Sequence, residues 1–367
     1  RPRPGHRRER RGRHTMTTCP DERNEYRTVS PTPFEDDIAE QPGALRAFAQ
    51  STTPTDLAAL LGGGYDRIVL SGMGSSHFAA LPTWRQLVAA GLPAWWVDTG
   101  QLLDSPHLIT PATLAIITSQ SGASGEVAAL IDRDRRTQAS TLISVTNDPN
   151  SPLGLGGDAL LRLHSGDEAT VSTKSYLNSL AAHQRILQLL TGVPGQDPWH
   201  TAKVLEALSP AAVLAEIATT FATTPDARMV FVGFGDHAAT ALYAGLITKE
   251  ASKIPAEGYI GGQFRHGPLE LAGPGLTAVL FSGGGSDPAR PSLQQLGTDL
   301  LRSGSTVLAV GDLGLIGAHE ISTPSPGLLD QLAHGAVVAQ RLTVELARAR
   351  NITPGSFLFG SKITSAL

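Results

Sequence analysis

The sequence predicts an α/β protein made of two tandem copies of one unit, each a parallel sheet flanked by helices. Three observations carry this expectation. Short apolar runs recur, and each ends in glycine or small polar residues. Helical patterns lie between the runs. Three of the runs reappear in the same order about 161 to 165 residues later.

The elements follow in order. Regular patterning begins near Phe34, and EDDIAEQPGALRAFAQ (Glu35–Gln50) reads as a leading helical arm. DRIVLSGMGSSH (Asp66–His77) is a strand entering a Gly-x-Gly turn, and ARMVFVGFGDHA (Ala227–Ala238) repeats it. LAIITSQSG (Leu114–Gly122) is matched by LTAVLFSGGG (Leu276–Gly285), and STLISVTNDPNSPL (Ser140–Leu153) by STVLAVGDLG (Ser305–Gly314). HFAALPTWRQLVAAG and GEVAALIDRDRRTQ supply helical patterns in the first half; HAATALYAGLITKEASK and SLQQLGTDLLRSG supply them in the second. SYLNSLAAHQRILQLLTG followed by AAVLAEIATTFAT reads as a helical connection. Strand–helix alternation argues for parallel sheets covered on both faces. The expected division is a disordered basic extension over 1–33, a first unit with its leading helix over 34–195, and a second unit with a C-terminal tail over 196–367.

Composition narrows the classes. The chain is 41% hydrophobic and 17% charged, with 39 glycines, an ordinary globular profile suited to many tight strand-to-helix turns. Its net charge of −4 is uneven: residues 1–15 hold seven Arg and one Glu, which leaves the remainder at −10. A basic tail of this kind can bind nucleic acid. The expectation here is an extension ahead of a start at Met16, irrelevant to the fold, with no nucleic-acid partner. It lacks the apolar core of a secretory signal, and no run reaches the ~18–20 apolar residues of a membrane span. A cytoplasmic protein without a membrane partner is expected. Cys19 is the single cysteine, so neither a disulfide framework nor a cysteine metal site can form. His77, His164, His237, His266 and His334 are dispersed without ligand spacing, so no metal and no cofactor are expected.

The candidate site lies where the first-half strands end. In open parallel sheets, ligands bind beyond the carboxyl ends of the strands. Ser71 to Ser76 and Ser119 to Ser124 fall there, each ahead of a helix. Hydroxyls, backbone N–H groups and the positive end of a helix dipole suit a phosphate dianion. One serine is an ordinary helix cap. Three hydroxyls and an amide at one strand end, replaced in the second copy by Phe281, Ser282, Gly283 and Gly284, favour a ligand. No P-loop pattern is present, and GMGSSH and GFGDHA lack the third glycine of a dinucleotide fingerprint.

SGMGSS, SQSGASGE and VSTKSYLNSL resemble the sugar-isomerase (SIS) domain. More narrowly, the chain resembles the isomerase half of glucosamine-6-phosphate synthase and relatives without its glutaminase half. TKEASKIPAEGYIGGQFRHGPLEL (Thr248–Leu271) is the most specific stretch; IAEQP and FGSKIT also fit. The likeness spans roughly residues 34–367. It implies tandem flavodoxin-like, three-layer αβα units, and no glutaminase half is expected here.

Sugar-phosphate isomerisation needs a base near neutrality and a second group at the ring oxygen. Glu250, near the end of a largely apolar helix, is the candidate base, and the family's proton-transfer glutamate falls on it. The family's ring-opening histidine falls on His266, held by Gly267 and Pro268, and in that family it comes from the neighbouring subunit. The resemblance therefore implies a homodimer with a shared site. By the same match, Ser76, Ser119, Gln120, Ser121 and Ser124 hold the phosphate. Gly74 and Ser75 approach the sugar, Thr170 to Ser172 line it, and Glu257 supports the site. Two positions depart from the family. Its C-terminal Schiff-base lysine aligns with Ser361, one residue from Lys362, and a second lysine is Ile247 here. Lys362 does Schiff-base work from a shifted position, or the covalent route is absent.

The expected activity is aldose–ketose isomerisation of a hexosamine phosphate, glucosamine 6-phosphate to or from fructose 6-phosphate, with ammonia or amine released or captured. The alternatives are a fructosamine-phosphate deglycase and a non-catalytic sugar-phosphate sensor. A regulator would carry a helix-turn-helix domain, which residues 1–33 do not suggest.

Overall fold

The computed structural model describes residues 30–367, apart from 138–139, 210, 285–286, 360 and 363–367. The expected basic extension, with Met16 and Cys19, lies almost wholly outside the described residues.

Helix α1 (Pro33–Gln50) begins where the sequence provides a cap. Thr32 Oγ1 accepts from Glu35 N–H, and the Glu35 carboxylate accepts from Thr32 N–H at 3.0 Å. Pro42 sits inside this helix and cannot donate to the carbonyl of Ile38. Gln41 Nε2 donates to that carbonyl instead, at 3.0 Å. The helix α2 (Thr55–Leu61) then leads into the first sheet.

Five strands form that sheet: β1 (Arg67–Gly72), β2 (Ala94–Trp96), β3 (Thr113–Thr118), β4 (Thr141–Thr146) and β5 (Ala159–Arg162). All pair in parallel, in the order β2-β1-β3-β4-β5. Every residue of β3 is buried, the continuous apolar pattern of a sheet covered on both faces. Between the strands run α3 (Gly74–Ala89), α4 (Thr99–Asp104), α5 (Gly125–Thr137) and α6 (Pro152–Gly156). After β5 come α7 (Lys174–Thr191), α8 (Pro198–Glu206) and α9 (Ala212–Thr223). The expected division at 195/196 falls in the loop between α7 and α8.

The second sheet contains β6 (Arg228–Gly233), β7 (Ala256–Ile260), β8 (Leu276–Phe281), β9 (Thr306–Val310) and β10 (His319–Ile321). Its order, β7-β6-β8-β9-β10, repeats the first sheet strand for strand, again all parallel. Its helices are α10 (Ala238–Ser252), α11 (Arg290–Arg302) and α12 (Leu328–Ala349). The two tandem helix-flanked units expected from the sequence are therefore present.

One large apolar core joins the two halves. It contains Leu70 and Ile116 from the first sheet, Phe231 and Phe281 from the second, and Tyr176, Tyr243 and Leu342 from helices between them. Helices α3 and α7 pack together, as do α10 and α12, while α3 packs on α10 across the halves. Tyr176 and Tyr243 stack with ring centroids 3.8 Å apart. Among the described residues, no helix is long and apolar enough to cross a membrane.

Candidate active site

The chain order reverses between β1 and β3, which lie side by side with Gly72 opposite Thr118. This switch point is where an open α/β sheet leaves a crevice beyond its strand ends. Both following turns open there, one into α3 and the other into α5. A cavity of about 290 Å³ occupies the crevice. Gly74, Ser75 and Ser76 line it from the first turn, and Ser119, Gln120, Ser121 and Ser124 from the second. Thr170 and Ser172 enter from the loop ahead of α7, Glu250 from α10, and Ser361 and Lys362 from the C-terminal segment.

The second turn is shaped by its own hydrogen bonds. Gly122 N–H donates to Ser119 Oγ at 3.1 Å, and Ala123 N–H donates to Ser121 Oγ at 3.3 Å. A hydroxyl that accepts a backbone N–H keeps its own hydrogen to donate. Gly122 has φ +63°, and a Cβ there would fall 2.0 Å from Ser151 Oγ, so only glycine fits. Ser124 Oγ and Thr170 Oγ1 are buried and have no hydrogen-bond partner among the described protein atoms. Buried polar atoms are normally satisfied, so two orphans on one polar cavity point to a missing ligand or water.

Glu250 stands on α10 four residues after Leu246, and both face the cavity. Burial pushes its carboxyl above the usual carboxylate range, opposed by the charges of Lys362, Lys253 and Lys249. Lys253, at φ +58°, ends the helix in a left-handed turn and donates its ammonium to the Glu250 carbonyl. Lys362 Nζ donates to Glu168 Oε2 and to the Thr170 carbonyl, each at 2.6 Å. Glu168 also lines the cavity. Burial pushes its carboxyl up, but Lys362 together with Thr173 and Ser175 holds it below the usual range.

Two expected residues are elsewhere on this chain. His266 is exposed, after a short 3-10 helix, and is not among the cavity-lining residues. Glu257 is on β7, its side chain 61% exposed, paired with Lys249 at 3.3 Å outside the cavity. Ile247, where the resemblance implies a second lysine, is wholly buried in the core. Conversely, Glu126, Glu168, Ser175, Leu246 and Phe357 line the cavity without having been singled out from the sequence.

The equivalent place in the second sheet is built differently among the described residues. Gly233 and Phe281 stand opposite each other there, as Gly72 and Thr118 do in the first. Asp287 Oδ2 accepts from Gly283 N–H at 3.0 Å and Oδ1 from Ala289 N–H at 2.9 Å, so an internal carboxylate uses two of the donors described there. A Cβ on Gly283 would lie 2.8 Å from His237 Nε2, so that side chain crowds the glycine.

Comparison with known proteins agrees with this fold. The chain is 29% identical over 261 residues to a glutamine–fructose-6-phosphate aminotransferase (isomerizing) from Gloeobacter violaceus. That match covers 64% of this chain and 42% of the relative, so the chain spans less than half the relative's length. The C-terminal domain of glucosamine-fructose-6-phosphate aminotransferase from Francisella tularensis superposes with a TM-score of 0.74 at 18% identity, covering 88% of this chain and 98% of that one. A glucosamine-6-phosphate deaminase from Thermotoga maritima superposes with a TM-score of 0.69 at 20% identity, covering 90% and 99%. The SIS domain family model matches residues 65–187 and 224–311. These two segments take in β1 to β5 and β6 to β9 and together exceed half of the sequence, so the chain belongs to the SIS domain family.

Proposed function

We propose that this protein is a sugar-phosphate aldose–ketose isomerase that acts on a hexosamine phosphate and releases or captures its amine. One observation carries the reading: the Ser119–Ser124 turn and Glu250 line a single cavity although 126 residues separate Ser124 from Glu250. A phosphate fits one end, met by serine hydroxyls and by the N-terminal ends of α3 and α5. The carbon chain then extends toward Glu250 and Lys362.

In this reading Glu250 takes the proton from C2 of open-chain glucosamine 6-phosphate, giving an enolamine, and returns it to C1. The resulting C2 iminium adds water and loses ammonia, leaving fructose 6-phosphate. A carboxyl raised by burial is closer to the operating pH, as proton transfer in both directions requires. Lys362 supplies positive charge beside the oxygen that becomes anionic. His266, exposed and away from its own chain's cavity, serves the ring oxygen of a second copy's site, which makes the active form a homodimer.

The test is incubation with glucosamine 6-phosphate and assay of ammonia and fructose 6-phosphate. Turnover should fall by about 10²–10⁴ in Glu250→Gln, with KM little changed. Absence of turnover with every hexosamine phosphate and glycated-amine phosphate, alongside tight binding of the sugar phosphate, would instead identify a sensor.

A further inference from the structure

We propose that Glu168 is a positioning residue for this reaction, holding the Lys362 ammonium beside Glu250. The Glu168 side chain is wholly buried, yet it stands at the wall of the cavity. Its Oε1 accepts from Thr173 N–H at 2.7 Å, Thr173 Oγ1 at 2.9 Å and Ser175 N–H at 3.1 Å. Its Oε2 accepts from Ser175 Oγ and Lys362 Nζ, at 2.7 and 2.6 Å. Four of these five donors come from the N-cap residue Thr173 and the first turn of α7, which is packed in the core. The carboxylate is therefore fixed by two backbone N–H groups and two hydroxyls, and among the described residues Lys362 is the only one of its partners that comes from another segment.

Lys362 needs such an anchor. It follows a C-terminal segment whose described residues form no helix or strand, and its side chain remains 26% exposed. Its two acceptors, Glu168 Oε2 and the Thr170 carbonyl, both belong to the loop ahead of α7. An ammonium has three donors and these acceptors use two, so among the described residues one N–H is left for the cavity. Ser172 Oγ lies 2.7 Å from Ser175 Oγ, whose own hydrogen goes to Glu168. The same carboxylate thus orients a second cavity-lining hydroxyl. A buried charge with one removable partner is a strong constraint, because losing that partner strands the charge.

The kinetic consequence rests on the isomerase reading above; the geometric one does not. Two experiments separate them. In the first, the protein is trace-acetylated with acetic anhydride in wild type and Glu168→Gln, and Lys362 is quantified by mass spectrometry against Lys203. Lys362 should label at least about fivefold faster in the variant, because the amide cannot hold an ammonium as a carboxylate does. Equal labelling overturns the proposal whatever the substrate proves to be. In the second, kcat should fall about 10²-fold in Glu168→Gln, KM should stay within about threefold, and adding Lys362→Met should cost little more. Additive losses, or a raised KM with kcat unchanged, overturn it. Should Glu168→Gln not fold, Lys362→Arg should recover at least about tenfold of the activity lost in Lys362→Met; equal loss in both overturns it. If wild type turns over no hexosamine phosphate, the isomerase reading fails, and the labelling result alone decides the role of Glu168.

Discussion

The Tyr243 hydroxyl donates to the Ser172 carbonyl oxygen at 2.7 Å, tying the middle of α10 to the loop that lines the cavity ahead of α7. The same hydroxyl accepts from Gln340 Nε2 on α12 at 2.8 Å. Gln340 and Gln41 exchange two further amide bonds, at 2.8 and 2.9 Å, and Gln41 caps the carbonyl freed by Pro42. A single buried chain of polar groups therefore runs from α1 through α12 and α10 to the cavity wall. Tyr243→Phe keeps the ring stack on Tyr176 but leaves Ser172 O and one Gln340 N–H without a partner. Stability should drop by about 1–3 kcal/mol, read as a lower urea midpoint at constant slope. An unchanged midpoint would mean that water replaces the hydroxyl.

Ser124 offers a test whose sign differs between free and bound protein. Its Oγ is buried and has no partner among the described residues, so Ser124→Ala removes an unsatisfied group and should not lower the melting temperature of the free protein. With fructose 6-phosphate present, the variant should bind about 3–10-fold more weakly and show a smaller ligand-induced rise in melting temperature. A variant that is less stable when free but binds normally would make Ser124 a structural cap and no more.

Much of this arrangement was legible because its signals are local. GMGSS and SQSGASG each announce a strand-to-helix turn within a dozen residues, and the repeat offset showed that there are two such sets. The strand order was not legible from spacing. The edge strands β2, β5, β7 and β10 were missed as well, since they have only three to five residues each. Glu168 was hidden for a different reason. In SGDEATVSTKS it is one acid in a polar stretch, and its partner Lys362 is 194 residues away. Only folding brings them together. Leu246 and Phe357 read as ordinary apolar residues until the cavity gives them a surface to line. The bonds from Gly283 and Ala289 to Asp287 were equally invisible, because the sequence shows which residues replace the serines but not which side chain takes their backbone donors.

If His266 works in a neighbour's site, defects at Glu250 and His266 should complement. Glu250→Gln and His266→Ala are each inactive as homodimers in this reading. A mixed dimer has one site with both defects and one with intact Glu250 and intact His266. Unfolding and refolding an equimolar mixture makes half of the dimers mixed, so activity should recover to about a quarter of wild type. If His266 instead served its own chain's cavity, each mixed dimer would carry one defect in each site, and mixing would restore nothing.

Acid should destabilise the protein at pH values well above those at which carboxylates titrate. Burial pushes His77, His237 and His334 down to about 4, and His183, next to His77, down to about 3. Their surroundings explain why. His183 Nε2 bonds Thr118 Oγ1 at 2.9 Å, His77 stacks on Trp96 at 4.1 Å, and the Nδ1 atoms of both lack partners among the described residues. Each ring is neutral when folded and takes up a proton on unfolding, since its unfolded value is 6.5. Their contribution is therefore complete above pH 6.5 and is lost as the pH falls toward 4. Each imidazole adds a slope approaching about 1.4 kcal/mol per pH unit in that window. Glu250, with its raised carboxyl, opposes this with one proton of the other sign. Urea midpoints measured from pH 7.5 to 5 should fall steadily, and His77→Gln should flatten the curve by about one proton's worth. A midpoint constant down to pH 5 would show that these rings accept protons without unfolding, and that the base of the Ser119–Ser124 turn admits charge.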